Sequence, residues 1–534
     1  MTTARHDSLD AIIIGAGHNG LTCACYLAAA GLRVRVLERR AAIGGAAVTE
    51  EFHPGFRNST ASYTVSLLNP QVIRDLKLAD HGLAIVERPF ANFVPLPDGR
   101  YLKFGGTPGE THAEVAKFSA RDAERLPAYY ARLERLAEQL KRWVLHAPPN
   151  FAGPLILEGW RDFVSAGRLL MQFGRLPNDG RRDLIDIFTK SAGHWLDLEF
   201  ESDPLKAALG WDSVVGNYAS PYAAGSAYVL LHHAFGEVNG KPGKWGHAIG
   251  GMGRVTETMA LEARARGVRI DIEAPVKQVL VERGHAVGVA LDNGTELRAR
   301  AVVSNVNPKL LYQRLIERSV LPDEFAHAIA AYRCGSGTLR INVALSEPPD
   351  FSCLPGTNAQ PHHASGIIFG PSLAYMDVAW RDAEADAFSR SPIVEMLIPS
   401  VVDTSLAPPG AHVASLFCQQ FKPDADWDAL KDRAVEAVFN VVQSHCPNFR
   451  RALLGYRALS PLDLEREFGL IGGDIFHGQL SLDQLFSMRP LLGYARYRGP
   501  LRGLYHCGSG AHPGGGVTGA PGFNAAREII RDLT

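Results

Sequence analysis

The 534-residue chain has 46% hydrophobic and 21% charged residues and a formal net charge of −1. This length exceeds what one hydrophobic core normally holds, so two domains are expected, and the composition excludes a disordered or fibrous chain. The charge balance offers no basic face for a nucleic acid, and no run approaches the roughly 18 apolar residues of a membrane span.

Met1–Asp10 is short and polar, without the apolar core of a signal peptide, which points to a cytoplasmic protein. Asp10-Ala-Ile-Ile-Ile-Gly15-Ala-Gly17-His-Asn-Gly20 then reads as an apolar strand running into G-x-G-x-x-G. An alanine-rich helix follows to Gly31, then a strand at Val34–Leu37 with Glu38 at its end. Gly15 makes the tight turn, Gly17 lets backbone approach a pyrophosphate, and Gly20 lets the helix pack on the strand. The helix start offers free N–H groups to phosphates, and Glu38 lies where a carboxylate accepts ribose hydroxyls. This is a dinucleotide-binding unit. Ile43-Gly44-Gly45-Ala46-Ala47 adds a second glycine pair through which backbone can approach the same cofactor.

Further along, Thr111–Val144 reads as two helices with a break at or near Pro127. Leu155–Phe173 has amphipathic character, suited either to packing on the core or to a membrane or substrate mouth. His232-His233 and His362-His363 are adjacent pairs that splay apart, without carboxylates at ligand spacing, so no metal site is expected. Strand-like runs follow at Thr338–Leu345, Ile393–Ile398 and Val413–Phe417, separated by Pro348-Pro349 and Pro408-Pro409. The seven cysteines contain no C-x-x-C and read as buried reduced thiols.

Three segments extend the N-terminal motif into a resemblance. Gly15–Gly45 with Glu38-Arg39 is similar to the flavoprotein superfamily of amine oxidases and phytoene desaturases. Gly250-Gly251-Met252-Gly253 with Val268–Ile272 and Ala274-Pro-Val276 resembles the stretch that returns the chain to the cofactor domain, and Ala301–Pro308 resembles the strand that re-enters it. Gly503–Gly519 is similar to the desaturase pattern G-x-G-T-H-P-G-x-G-V-P-G, with Ala511 and Thr518 in place of Thr and Pro. A narrower likeness, to the pyridine nucleotide-disulphide oxidoreductase domain-containing protein 2 type, rests on Gly17–Gly20, Gly44–Glu51 with Pro54–Phe56, and Gly473–Gln484 with Arg489-Pro490. That branch name implies a redox cysteine pair, which this chain lacks.

The resemblance implies an α/β fold: a Rossmann-type FAD-binding domain of the glutathione reductase and amine oxidase kind, with an inserted α+β substrate domain. The FAD domain is expected at 1–75, 245–310 and 485–534, the substrate domain at 76–244 and 311–484. The cofactor is expected to be FAD. Gly15, Gly17, Gly20, Glu38, Arg39, Gly44, Gly45 and Ala46 would hold its dinucleotide part, Val276 its adenine region, and Gly508, Gly516, Val517 and Gly519 its ring. A helix beginning after Gly519 would stabilise negative charge on the reduced ring.

Flavin supplies the hydride chemistry, and the protein supplies orientation and proton handling. His512, His477 and Arg489 are the candidate catalytic residues: His512 as a base or a structural hydrogen bond, Arg489 as an anion holder or one half of an ion pair. Ser59, Thr60, Ser62 and Tyr63 are candidates for the cavity wall. The expected function is dehydrogenation of a C–C bond in an apolar, lipid- or isoprenoid-like molecule. Amine oxidation and a flavin-bearing regulatory or partner-binding role stand as alternatives. The electron acceptor (oxygen, a quinone or NAD(P)), peripheral membrane contact and homo-oligomerisation stay open.

Overall fold

In the strand Leu9–Ile14, Ala11–Ile14 is buried on both faces, as its uninterrupted apolar run requires. In the computed structural model, which describes residues 9–150, 152, 159–234, 236–356 and 358–534, this strand is the centre of a parallel sheet. Residues 1–8 of the polar N-terminus and 155–158 of the amphipathic stretch lie outside the described residues.

Val34–Leu37 pairs on one side of the central strand and Glu296–Ser304 on the other, both parallel. Arg269–Asp271 extends the sheet beyond Val34–Leu37. Glu296–Ser304 serves two partners. Its first half pairs antiparallel with His285–Leu291, and its second half, Val302–Ser304, pairs parallel with Leu504–His506. The C-terminal strand thereby enters the same parallel sheet as the N-terminal one. Side-chain alternation divides the core in two. Ala11, Ile13, Val36 and Val303 meet the helices His18–Ala29, Gly253–Ala265 and Ala520–Leu533 through Leu21, Met259 and Ile529. Ile12, Ile14 and Val302 meet Leu311 and Phe325 on the opposite face.

A second, mostly antiparallel sheet is assembled from both inserted stretches. Its order is Leu453–Leu459, Leu339–Leu345, His412–Phe421, Phe388–Leu397, Gly366–Phe369, Asn92–Pro95, Tyr101–Phe104. The helix Trp427–His445 covers one face through Trp427, Val438, Phe439 and Val442. A helical layer from the first insertion covers the other, where Leu209, Trp211 and Leu230 meet Ile368 and Phe417.

The expected break at Pro127 is corrected. One helix ends at Ala116, the next runs unbroken from Ala120 to Val144, and Pro127 lies inside it. The boundary falls instead at Ser119, whose side chain accepts the Asp122 N–H and caps the second helix. The missing Pro127 N–H is outweighed by the buried stripe of Leu126, Tyr129, Leu133, Leu136 and Leu140.

Candidate functional site

The first strand ends at Gly15, whose φ of +96° only glycine adopts without strain. The chain then turns into the helix at Gly17, and no side chain caps that helix, so its first N–H groups remain available to phosphate. A Cβ on Gly17 would stand 2.8 Å from Asn305 Nδ2, and one on Gly45 would stand 3.6 Å from the Gly17 Cα. The two glycine loops therefore face each other across a narrow gap, linked where the Gly44 N–H donates to the Ala16 carbonyl at 2.9 Å. Gly20 works differently: a Cβ there would meet the Gly15 carbonyl oxygen at 2.3 Å, so it permits the helix–turn packing without lining the gap.

Glu38 accepts the Ala16 N–H at 2.8 Å and the Arg40 N–H at 3.0 Å, and its buried carboxylate borders the same cavity. Arg39 lines the cavity too, and donates to the Glu467 carbonyl at 2.7 Å. Ala274, Pro275 and Val276 close that end. The cavity, about 390 Å³, runs from Val276 past Gly15, Gly17, Gly44, Gly45 and Ala46 to Gly516 and Val517 and on to an aromatic end. Gly508 and Gly519 stand behind the wall. Gly508 packs on Asn305, and Gly519, at φ +74°, starts the helix Ala520–Leu533. Thr518 accepts the Ala520 N–H at 3.1 Å.

The three catalytic candidates separate. His477 lines the cavity, its backbone at φ +59° held from outside by Tyr332, which donates to the His477 carbonyl at 2.9 Å. Burial lowers its pKa to about 3, so the ring is neutral. His18, inside the glycine motif, also lines the cavity; burial lowers its pKa to about 4. His512 is corrected as a candidate base. Its Nε2 lies 3.1 Å from the Trp143 carbonyl and its ring edge meets Phe486, so it faces away from the cavity. Arg489 is corrected as well. It is fully buried, and its guanidinium donates to the carbonyls of Phe476, Gly478, Gln479, Gln484 and Ser509. It ties the His477 loop to the C-terminal segment, leaving no donor directed at a substrate.

At the aromatic end, Tyr63, Trp245, Phe417 and Phe476 form the wall. Tyr63 stacks on Phe417 with ring centroids 4.8 Å apart. Its hydroxyl donates to Glu395, which also lies 3.4 Å from Arg88. Arg88 donates to Thr64 Oγ1 at 2.8 Å. Gly366 makes room for this buried pair, since a Cβ there would meet Glu395 Oε1 at 2.6 Å and Arg88 Nη1 at 2.7 Å. Burial, and secondarily the Glu395 charge, raises the Tyr63 phenol. Burial likewise raises the nearby Asp212 carboxyl to about 8, so it is protonated at neutral pH. Of the serines and threonines after the glycine loop, Ser62 and Thr64 line the cavity, whereas Ser59 accepts the Met252 N–H and Thr60 donates to Glu50. Sequence reasoning missed Glu395, Arg88, Asp212, Trp245, Asn305 and His18 as site residues; His18, within the glycine motif, and Asn305, within the Ala301–Pro308 stretch, had a visible signal.

The parallel sheet, paired glycine loops, uncapped helix start and strand-end carboxylate define a dinucleotide-binding flavin fold, with a second sheet closing the cavity's far end. The profile described as flavin containing amine oxidoreductase matches residues 20–359, and the chain belongs to that family. Pyridine nucleotide-disulfide oxidoreductase domain-containing protein 2 of Rattus norvegicus is 41% identical, the alignment covering 98% of this chain and 94% of that one. A lycopene-forming phytoene desaturase of Pseudescherichia vulneris is 24% identical, covering 98% and 99%. A putrescine oxidase variant of known structure superposes with a TM-score of 0.59 at 16% identity, covering 98% of each chain, and shares the fold. The protein is an FAD-dependent oxidoreductase of the amine oxidase and desaturase superfamily. Among the described residues, no helix is long and apolar enough to cross a membrane, and no cluster of ligating side chains suits a metal ion.

Proposed function

We propose that this flavoprotein dehydrogenates a C–C bond of an apolar, lipid- or isoprenoid-like small molecule. The observation that supports this reading is the chemistry of the cavity's aromatic end. Tyr63, Trp245, Phe417 and Phe476 offer ring faces and edges, and the carboxylates lining the cavity, Glu38 and Asp292, sit at the opposite, Val276 end. Glu395 stands behind Tyr63 and is already paired with Arg88. A cationic amine entering here would meet no free carboxylate among the described residues, whereas an uncharged hydrocarbon would lose little by leaving water.

Bound FAD supplies the hydride acceptor. The residues of this chain provide the proton path. Tyr63 is held protonated by burial, and its hydroxyl is aligned on Glu395. It can take a proton from the substrate carbon beside the one losing hydride while passing its own proton to Glu395. Arg88 stabilises the anionic carboxylate before that transfer. The amine-oxidase alternative draws on the fold shared with putrescine oxidase.

Anaerobic mixing of the holoprotein with isoprenoid alkenes and, separately, with primary amines tests the reading through flavin absorbance. Bleaching by the alkenes is expected. Bleaching by amines alone would overturn it in favour of C–N oxidation, and bleaching by neither class would favour a partner-binding role.

A further inference from the structure

The loop 474–479 is held more firmly than a connection between elements requires. Asp474 Oδ1 accepts the Phe476 N–H and its Oδ2 the Gly335 N–H, both at 2.8 Å. Arg489 donates to the carbonyls of Phe476, Gly478 and Gln479. Tyr332 donates to the His477 carbonyl at 2.9 Å, and a Cβ on Gly478 would collide with that same Tyr332 hydroxyl. Together these contacts fix His477 at φ +59°, a backbone conformation uncommon outside glycine. Such a conformation persists where the surroundings over-determine it, and it is concentrated at functional sites.

What this scaffold presents to the cavity is an imidazole without a protein partner. Its Nδ1 is enclosed by protein atoms and unbonded, and no group among the described residues bonds its Nε2. The neighbours cannot supply one. The Arg489 donors are taken by carbonyls, the Asp474 oxygens by backbone N–H groups, and the nearby His18 ring is itself buried and neutral. A buried polar atom left unpaired is costly, so the partner has to come from what fills the cavity. The place is defined by its neighbours. Phe476 packs against Gly515, and the Gly516 carbonyl stands by the His18 ring. His477 therefore lies where the helix start at Gly17 meets the wall formed by Gly516 and Val517.

We infer that His477 donates a hydrogen bond from Nε2 to the ring of bound FAD and thereby raises the reduction potential of the flavin. A neutral imidazole carries one proton, which belongs on the nitrogen that can find an acceptor, here the one left to the cavity. Reduction places negative charge on the flavin ring, and a hydrogen bond to an anion is stronger than one to a neutral acceptor. The donor therefore favours the reduced flavin over the oxidised one, and because the loop is already fixed, little reorganisation opposes the contact. The inference rests on FAD as the cofactor and is independent of whether a C–C or a C–N bond is oxidised.

The test compares His477→Gln, His477→Asn and His477→Leu. Glutamine can place an amide N–H near the position of Nε2, asparagine only near that of Nδ1, and leucine offers none. The backbone ranks them differently, because asparagine tolerates a positive φ better than glutamine or leucine. Midpoint potentials are read by equilibrating each holoprotein with a reference dye, and FAD affinity by fluorescence on titrating the apoprotein. His477→Gln should keep a potential close to that of the parent. His477→Asn and His477→Leu should move it to more negative values and weaken FAD binding about fivefold. An asparagine variant that matches the parent while glutamine does not would show that the site needs only the backbone turn and overturn the inference. So would one potential shared by all four proteins. If His477→Leu fails to fold, the glutamine and asparagine variants decide the matter. Histidine-labelled ¹⁵N spectra of the parent holoprotein give an independent reading: the ring signal missing from His477→Gln should shift when dithionite reduces the flavin, and an unmoved signal would overturn the contact.

Discussion

Glu38 shows how much one side chain does at the cofactor site. Its carboxylate joins two loops by accepting the Ala16 and Arg40 N–H groups, while its cavity-facing edge remains open to a ribose hydroxyl. A charge-assisted hydrogen bond contributes about 1.5–3 kcal/mol. Glu38→Ala should therefore weaken FAD binding roughly tenfold or more, read by flavin fluorescence on titrating the apoprotein. Glu38→Gln keeps an acceptor but loses the charge and should fall between. An alanine variant that retains FAD with unchanged affinity would show that the carboxylate does not touch the ribose. Arg489 gives the contrasting lesson. A buried arginine near a cofactor invites a substrate role, yet here the surrounding carbonyls take up its donors, and its work is to fix the turn that presents His477.

At the scale of elements, the C-terminal segment is the part most constrained by backbone conformation. Gly514 and Gly516 have φ of +118° and +93°, and a Cβ on Gly516 would come within 2.7 Å of Leu67 Cδ1 at the cavity wall. Gly516→Leu should leave both sheets intact, since the strand Leu504–His506 and the helix Ala520–Leu533 lie outside the altered turn. The side chain would project where Gly516 and Val517 border the cavity, so FAD should be lost or its absorbance and potential displaced. A soluble variant with a normal flavin spectrum and potential would refute that placement. These glycines could be read from sequence because each answers a local demand on the chain. The parallel strands could be read because both of their faces are apolar. The aromatic end could not, because Tyr63 and Glu395 are 332 residues apart and meet only when the second sheet forms. His512 was misread for a related reason: its place in the segment is local, but the direction of its ring is set by Trp143, 369 residues away.

The whole molecule carries an unusual load of buried neutral histidine. His232, His233, His362, His506 and His512 are all at most 5% exposed, and burial lowers their pKa values to about 3–4. In the unfolded chain each titrates near 6.5. Between about pH 4 and 6.5 the unfolded state therefore binds more protons, so stability is complete above 6.5 and is lost as pH falls. At pH 5 the cost is about 2 kcal/mol for each such histidine, against a total stability of about 5–15 kcal/mol. Asp212 has the opposite sign: its carboxyl, raised to about 8, gains stability as pH falls from 8 toward 4, but it is one group against five. The urea midpoint should therefore drop steeply between pH 6.5 and 5, with FAD release following it. His362 isolates the cause, because it lies between Phe93 and Phe351 and its Nε2 is buried without a partner. His362→Phe should flatten the pH dependence by about one proton over that range while leaving the flavin spectrum unchanged. A midpoint that stays level from pH 7 to 5, or a His362→Phe protein as acid-sensitive as the parent, would show that these rings can be protonated in place.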